Sequence, residues 1–134
     1  MAHLSFEYSA NLDQKLNIQG FCDHMRDVMH ASGVFPLGGI RVRGTRVDAC
    51  AVASGEAELA FIDMTLRMGM GRDEEVRVSV TETIYAGAED WLKPRVGERP
   101  FALSLETLEI NARFSQKRFN TIHGFLKHAG PGNG

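Results

Sequence analysis

The strongest constraint on the fold is a run of mainly apolar residues, 59–68, which has the length and composition of a buried strand. A glycine-rich break at 69–71 follows, and then acidic residues at 73–75, whose charge suits the exposed N–H groups of a helix's first turn. Apolar residues continue at roughly helical spacing towards Pro94, which marks the predicted end of the helix. Residues 101–110 predict another long strand. A strand, a helix and a strand in this order need a crossover connection, which predicts parallel strands with the helix on one face.

The first part of the chain repeats this arrangement. Residues 3–8 alternate polar and apolar side chains and predict a half-buried strand. Apolar residues from Asn17 onward recur at the three- and four-residue steps of an amphipathic helix, which Gly33 ends. Residues 38–48 predict a short strand and turn, and residues 47–53 a second short extended piece. The predicted fold is a two-layer α/β sandwich of two β-α-β units, with both helices on one face of a mainly parallel sheet.

The second face of the predicted sheet is expected to need a partner. Phe61, Met64 and Leu66 lie on the predicted central strand, and leaving such side chains in water costs about 25 cal/mol per Å². Packing against further copies of the chain would remove this surface from water. The pattern therefore predicts an oligomer.

Length and composition exclude several classes of protein. The 134 residues, 43% hydrophobic and 24% charged, predict one ordinary domain at 1–126 and a disordered tail at 127–134. A formal net charge of -2 argues against nucleic acid and anionic membranes as partners. No segment reaches the roughly 18 apolar residues of a membrane span, and no signal-peptide pattern opens the chain, so the predicted location is cytoplasmic. Cys22 and Cys50 lack metal-ligand spacing, so no metal site is predicted, and a disulfide stays open.

Short motifs spread along the chain carry the clearest indication of function. They are Ser9 and Asn11, followed by residues 33–37, 39–41, 47–48, 64–66 and 71–72. Their order and spacing resemble those of the 5-carboxymethyl-2-hydroxymuconate isomerase family, part of the tautomerase superfamily. The resemblance runs from the first strand to about residue 125. It implies a tautomerase-like fold, a homotrimer whose subunits pack sheet to sheet, and catalysis without a cofactor.

The resemblance also implies a site. Members of the superfamily use the amine of an N-terminal proline, exposed when the initiator Met is removed, as a general base. Ala2 occupies the place of that proline here. Arg41 and Arg72 correspond to arginines that hold the carboxylates of the substrate, and Arg43 is a supporting candidate. His3 could tune the amine or bind the substrate, or be a strand-surface histidine with a structural partner.

These residue types suit the chemistry that the resemblance implies. Converting a 2-hydroxydienoic acid to its keto isomer removes a proton from a hydroxyl and delivers one to carbon, through a charged dienolate. An α-amine titrates at about 7.7 to 8.0, close to working pH, so it can act as the base. An arginine fork can hold a carboxylate with two charge-assisted hydrogen bonds. The predicted function is therefore an isomerase or tautomerase acting on a small unsaturated 2-hydroxy (di)carboxylic acid, within aromatic-compound catabolism.

Other interpretations of the same residues stay open. Arg41 and Arg43 on a short strand could be solvated or form subunit salt bridges, and Arg72 could pair with Asp73 or Glu75. Without a proline the amine is a primary one and less fixed in direction, and retention of the initiator Met would displace it by a residue. The second hypothesis is therefore a non-catalytic small-acid-binding or structural trimer that has lost the catalytic proline.

Overall fold

The computed structural model of the protein describes residues 1–128. Two β-α-β units follow one another, as predicted, and a short helix comes after them. Residues 127 and 128 of the predicted disordered tail end this last helix, and the rest of the tail lies outside the described residues. The elements are β1 (Ala2–Ser9), α1 (Ile18–Ala31), β2 (Ile40–Val47), β3 (Ala60–Gly69), α2 (Glu74–Val96), β4 (Phe101–Ile110) and α3 (Ile122–His128).

The strands form one sheet in the order β2-β1-β3-β4. It is parallel within each unit and antiparallel between them, because β1 pairs with β3 in opposite directions. Ala2, the first residue of β1, lies opposite Ile40 at the start of β2 and Met68 near the end of β3. The beginnings of β1 and β2 and the ends of β3 and β4 therefore share one edge of the sheet, the site edge. A sheet with parallel strands throughout, as the crossover argument alone suggests, would place the start of β1 and the end of β3 at opposite edges.

Helix α1 confirms the amphipathic pattern. The Asn17 side chain caps its first turn by accepting a hydrogen bond from the N–H of Gly20 at 3.0 Å. Gly33, with a φ of +74°, follows the last turn. Its buried side chains, Phe21, Met25 and Met29, are spaced four residues apart and face the sheet.

Two local predictions are wrong. Helix α2 does not end before Pro94 but includes it in the last turn and continues to Val96, since the fixed φ of proline is itself helical. The helix ends instead at Gly97, whose φ of +60° breaks the helical geometry. Residues 48–59 form a loop rather than an extended piece, because the left-handed φ values of Ala53 and Gly55 turn the chain.

The open face of the sheet, opposite the helices, is not the apolar surface that was predicted. Met64 and Leu66 are fully buried beneath the helices, and of the three predicted residues only Phe61 points to the other face. Side chains alternate along a strand, so adjacent apolar residues of β3 cannot all share one face. The open face is mainly polar and charged in the part of the chain that the structure describes. Within that part, no helix is both long and apolar enough to cross a bilayer.

Phe21 is expected to be among the most important core residues for stability. Its ring is fully buried and contacts those of Phe6 and Trp91, with centroids at 5.1 and 5.2 Å. We expect Phe21→Ala to lower the free energy of unfolding by about 3 to 5 kcal/mol, measured by urea denaturation. The control is Phe119→Ala, because Phe119 is 93% exposed and its removal should change stability by less than about 0.5 kcal/mol. Equal effects of the two substitutions would contradict the assignment of this core.

Candidate functional site

Four separate parts of the chain meet at the site edge. The antiparallel pairing of β1 with β3 brings the N-terminal Met1 beside the loop that follows Gly69. The parallel pairing of β3 with β4 brings Ile110, and the segment after it, to the same place. Arg41, the second residue of β2, lies opposite His3 one strand away. The α-amine of Met1 and the cationic side chains of Arg41, Arg72 and Lys117 therefore lie at one edge, although they are far apart in the sequence.

A small cavity of about 140 Å³ lies against Met1 at this edge. Its walls come from the end of β3, the loop after it and the segment after β4. Gly39 helps the chain start to fit beside this cavity, because a Cβ atom at that position would lie only 3.2 Å from the Cα of Met1. The lining residues are Met1, Gly69, Met70, Ile110, Ala112, Ser115 and Lys117.

The electrostatic environment of the edge favours an uncharged amine. Partial burial lowers the pKa of the Met1 amine below its ordinary value, and the positive charges of Lys117, Arg72 and Arg41 lower it further, in that order. Ala2, the next residue, is fully buried between β2 and β3. The Met1 amine can therefore be neutral, and so accept a proton, at a lower pH than an exposed α-amine.

Arg72 is held in place by the backbone around it. Its Nη1 donates to the carbonyl of Gly69 at 3.1 Å and its Nη2 to the carbonyl of Val34 at 3.1 Å. The guanidinium carbon lies 5.6 Å from the centroid of the Phe35 ring. Neither Asp73 nor Glu75 pairs with it among the described residues. Arg72 thus ties the loop after β3 to the connection between α1 and β2, with its charge fixed beside the amine.

The remaining predicted residues divide into two groups. Arg41 makes one long hydrogen bond, from Nη1 to the carbonyl of Gly39 at 3.3 Å, and contributes to the field at the amine. Arg43 and His3 instead contact each other, with 3.2 Å between Nη1 and Nδ1. Burial first, and then Arg43, lowers the pKa of His3, so its Nδ1 can accept this hydrogen bond. His3 and Arg43 form a pair on the open face, and none of the four side chains of His3, Arg41, Arg43 and Arg72 lines the cavity against Met1 itself.

A larger cleft elsewhere does not suit an anionic ligand. It measures about 750 Å³ and lies between α2 and the outer edge of β4. Its charged lining is mainly acidic, since Glu74, Glu82, Glu106 and Glu109 accompany a single arginine, Arg77, which pairs with Glu109 at 3.4 Å. A carboxylate would meet like charge there, so the smaller cavity at the site edge is the better candidate.

Lys117 is the functional candidate that the sequence pattern did not reveal. It follows β4 in a segment that contains none of the sequence motifs of the predicted site. The signal that could have found it is the parallel pairing of β3 with β4, which places everything just after β4 beside the loop containing Arg72. To place Lys117 beside the N-terminus as well, one must also know that β1 is antiparallel to β3.

Comparison with known proteins connects this arrangement to a family. The family model described as 5-carboxymethyl-2-hydroxymuconate isomerase matches residues 2–126. The chain is 31% identical over 127 residues to 5-carboxymethyl-2-hydroxymuconate Delta-isomerase of Escherichia coli, which covers 95% of this chain and 100% of that protein. It is also similar to a crystal structure of a 5-carboxymethyl-2-hydroxymuconate isomerase from Deinococcus radiodurans R1, with a TM-score of 0.83, 32% identity and 92% of each chain covered. A more distant structure, a fused 4-OT described as a symmetric trimer, shares the fold at a TM-score of 0.62 and 15% identity, with 88% of this chain and 95% of that chain covered.

Proposed function

This chain belongs to the 5-carboxymethyl-2-hydroxymuconate isomerase family, and we propose that it is a cofactor-independent isomerase acting on a small unsaturated 2-hydroxy (di)carboxylic acid. The observation that carries the proposal is the position of the Met1 amine in a cavity that Lys117 also lines. Arg72 donates to the carbonyl of Gly69 in the wall of this cavity, and Arg41 to the carbonyl of Gly39 beside Met1. Cations in this position attract a dianion and stabilise the negative charge that develops on the dienolate. The proposal includes a role in aromatic-compound catabolism, which the similarity to 5-carboxymethyl-2-hydroxymuconate isomerases supports.

The amine supplies the acid-base step. In its neutral form it removes the proton from the 2-hydroxyl group, which leaves a dienolate. The protonated amine then returns a proton to carbon, and the keto isomer forms with the atoms and charge balanced. The fixed guanidinium of Arg72 and the less restrained one of Arg41 hold the acid and the developing oxyanion.

Removal of Met1 fits this proposal because of the space available. Ligand pockets commonly measure about 300 to 1,000 Å³. The cavity of about 140 Å³ against Met1 is well below this range. Loss of Met1 joins its volume to the cavity and exposes the amine of Ala2 at the same edge. A small residue after Met1 is compatible with such processing.

The acidity of the amine gives a prediction for the dependence of rate on pH. Burial and neighbouring cations lower the pKa of the Met1 amine, and we expect the same cations to act on the Ala2 amine once Met1 is removed. The value of kcat/KM should then rise with pH and level off once the Ala2 amine is neutral. The midpoint should lie below the value of about 7.7 to 8.0 for an exposed α-amine. The measurement is kcat/KM by the ultraviolet assay across pH, with the loss of the conjugated dienol as the signal. A midpoint above about 8 would argue against this amine as the base.

A proline at position 2 tests whether the site is otherwise intact. The primary amine of Ala2 can rotate among roughly three staggered orientations, whereas a proline ring restricts the terminal nitrogen. We therefore expect Ala2→Pro to raise kcat on a 2-hydroxymuconate analogue by at least about threefold. Intact mass must show that both proteins have lost Met1. No gain would place the assignments of Arg41 and Arg72 in doubt.

A second function rests on the residue at position 2. Ala2 stands where the family's chemistry uses proline, and the hydrogen bonds of Arg72 to two backbone carbonyls are compatible with a structural role. A non-catalytic protein that binds small acids would keep the cations without needing the base. Calorimetry and the ultraviolet assay separate the two functions: binding of the dianion without turnover supports the second, and accelerated ketonisation supports the first.

We further propose a cytoplasmic homotrimer assembled through the open face of the sheet. Charge on this face is segregated, which favours packing against another copy of the same surface. The basic row across the strands contains Arg41, His3 and Arg67, and a row four residues along β1 contains Glu7 and Asp63. Sedimentation equilibrium should give three times the chain mass of 14.8 kDa, and a monomer would contradict the assembly.

A further inference from the structure

We propose that Lys117 is a substrate-binding residue that makes this isomerase selective for dicarboxylates, by holding the carboxylate that the arginines leave free. The inference rests on the proposed function and deepens it. It assigns to the segment after β4 a part in the site that neither the sequence motifs nor the family's arginines describe.

The position of Lys117 is the first observation. Its side chain lines the cavity against Met1 together with Ser115, on the wall formed by the segment after β4. Arg72 belongs to the loop after β3, and Arg41 to the start of β2. Cations therefore approach the first amine from three different elements of the fold. With Met1 removed, an extended dianion at the site edge can meet Lys117 at one carboxylate and an arginine beside the cavity at the other.

The availability of Lys117 is the second observation. Within residues 1–128 its ammonium group makes no hydrogen bond and no ion pair, and the side chain is exposed. Arg72, in contrast, donates from both terminal nitrogens to backbone carbonyls. A carboxylate can therefore bind Lys117 without breaking an existing contact, and the compact ammonium group offers up to three donors.

The segment that carries Lys117 is anchored on both sides of it. Before it, the N–H of Ala112 donates to Sδ of Met70 at 3.4 Å, and the Asn111 side chain accepts from the N–H of Arg113 at 3.0 Å. After it, the ring of His123 packs so closely on Gly38 that a side chain there would collide with it. The chain thus crosses the site edge between two fixed points, and Lys117 lies on the part between them.

The field at the amine gives independent support. Among the charges that lower the pKa of the Met1 amine, Lys117 ranks ahead of Arg72 and Arg41. Its ammonium group is therefore close to the Met1 amine, at the edge where loss of Met1 exposes the amine of Ala2. Substitution of Lys117 by a neutral residue should raise the pKa of the amine and move the pH midpoint of kcat/KM upward.

The test compares Lys117→Gln with wild type on two substrates at the pH of the rate plateau. One substrate is 2-hydroxymuconate, and the other is a 2-hydroxydienoate analogue with a single carboxylate. We expect K117Q to raise KM for the dicarboxylate by about tenfold, since one charge-assisted contact is lost, and KM for the monocarboxylate by less than twofold. Arg118→Gln is the matched control, because it removes a positive charge from the next residue, which does not line the cavity.

Each outcome decides the question. A tenfold loss for the dicarboxylate alone, with recovery in Lys117→Arg, supports the assignment. Equal changes for both substrates, no change, or the same effect in R118Q overturns it. If wild type turns over neither compound, the isomerase proposal fails separately. The role of Lys117 is then tested by calorimetry with the same two acids. Loss of the preference for the dianion in K117Q supports the role, and an unchanged preference overturns it.

Discussion

The chain that begins at Ala2 is expected to isomerise 2-hydroxymuconate at least about 100 times faster than the same chain with Met1 retained. Consecutive Cα atoms are about 3.8 Å apart, so an additional residue moves the amine well beyond the roughly 1 Å of misplacement that can cost 100-fold. Met1 also forms part of the cavity wall, and its presence keeps the cavity at about 140 Å³. The displacement of the amine and the small volume of the cavity should therefore both lower the rate of the protein that keeps Met1.

Two proteins with identical sequence from Ala2 onward provide the comparison. Each is released by a protease from the same fusion partner, one to begin with Met1 and the other with Ala2, and intact mass verifies both. The ultraviolet assay then gives kcat for each, and thermal melting shows that both are folded. Similar rates would refute the amine of Ala2 as the base. Binding of the dianion by both forms without turnover would favour the non-catalytic function.

Arg41→Ala is expected to lower kcat/KM by about 100-fold, because it removes a cation that stabilises both the carboxylate and the dienolate. Its single hydrogen bond to Gly39, at 3.3 Å, is long, so little stability should be lost. Arg46→Ala is the matched control on the same strand. Arg46 lies near the other end of β2 and pairs with Asp13 and Asp48 at 3.0 and 2.8 Å. It should leave kcat/KM within about twofold of wild type and change the melting temperature little, because exposed ion pairs contribute little to stability.

Arg72→Ala distinguishes a binding role from a structural one. This substitution removes two hydrogen bonds to backbone carbonyls as well as a charge, so we expect it to lower both kcat/KM and the melting temperature. Arg41→Ala should lower kcat/KM alone. If Arg41→Ala and Arg46→Ala give the same rate, or if both site arginines affect only melting, the arginines do not hold the substrate.

Local patterns predicted the secondary structure well for particular physical reasons. The four-residue spacing of Phe21, Met25 and Met29 reports the helical repeat directly, and β4 spans the predicted residues because its turn boundaries are clear. The prediction failed at Pro94, where a proline allows the last turn of a helix to continue, and at residues 48–59, where backbone turning has no periodic signal. It also failed at the second face of the sheet, because the prediction put Phe61, Met64 and Leu66 on one face. The alternation of side chains along β3 places Met64 and Leu66 on the opposite face from Phe61.

The candidate site was predicted only in part. The motifs led to Ala2, Arg41 and Arg72, and the structure brings the arginines to the first amine. Arg43 and His3 were predicted as part of the same group, and they contact each other on the open face. Lys117 was not predicted, because its segment carries no periodicity and its position depends on the pairing of β3 with β4.

The sequence by itself determined the two β-α-β units and the buried side of each helix, and it supplied the residue types of the candidate site. These properties repeat every two or 3.6 residues or depend on short motifs, so local stretches of chain encode them. Only the tertiary structure decided that β1 and β3 run antiparallel, and this pairing brings the first amine, Arg72 and Lys117 to one edge. The direction of that pair depends on hydrogen bonds and packing between two units that are far apart in the chain, and neither unit alone carries a signal for it.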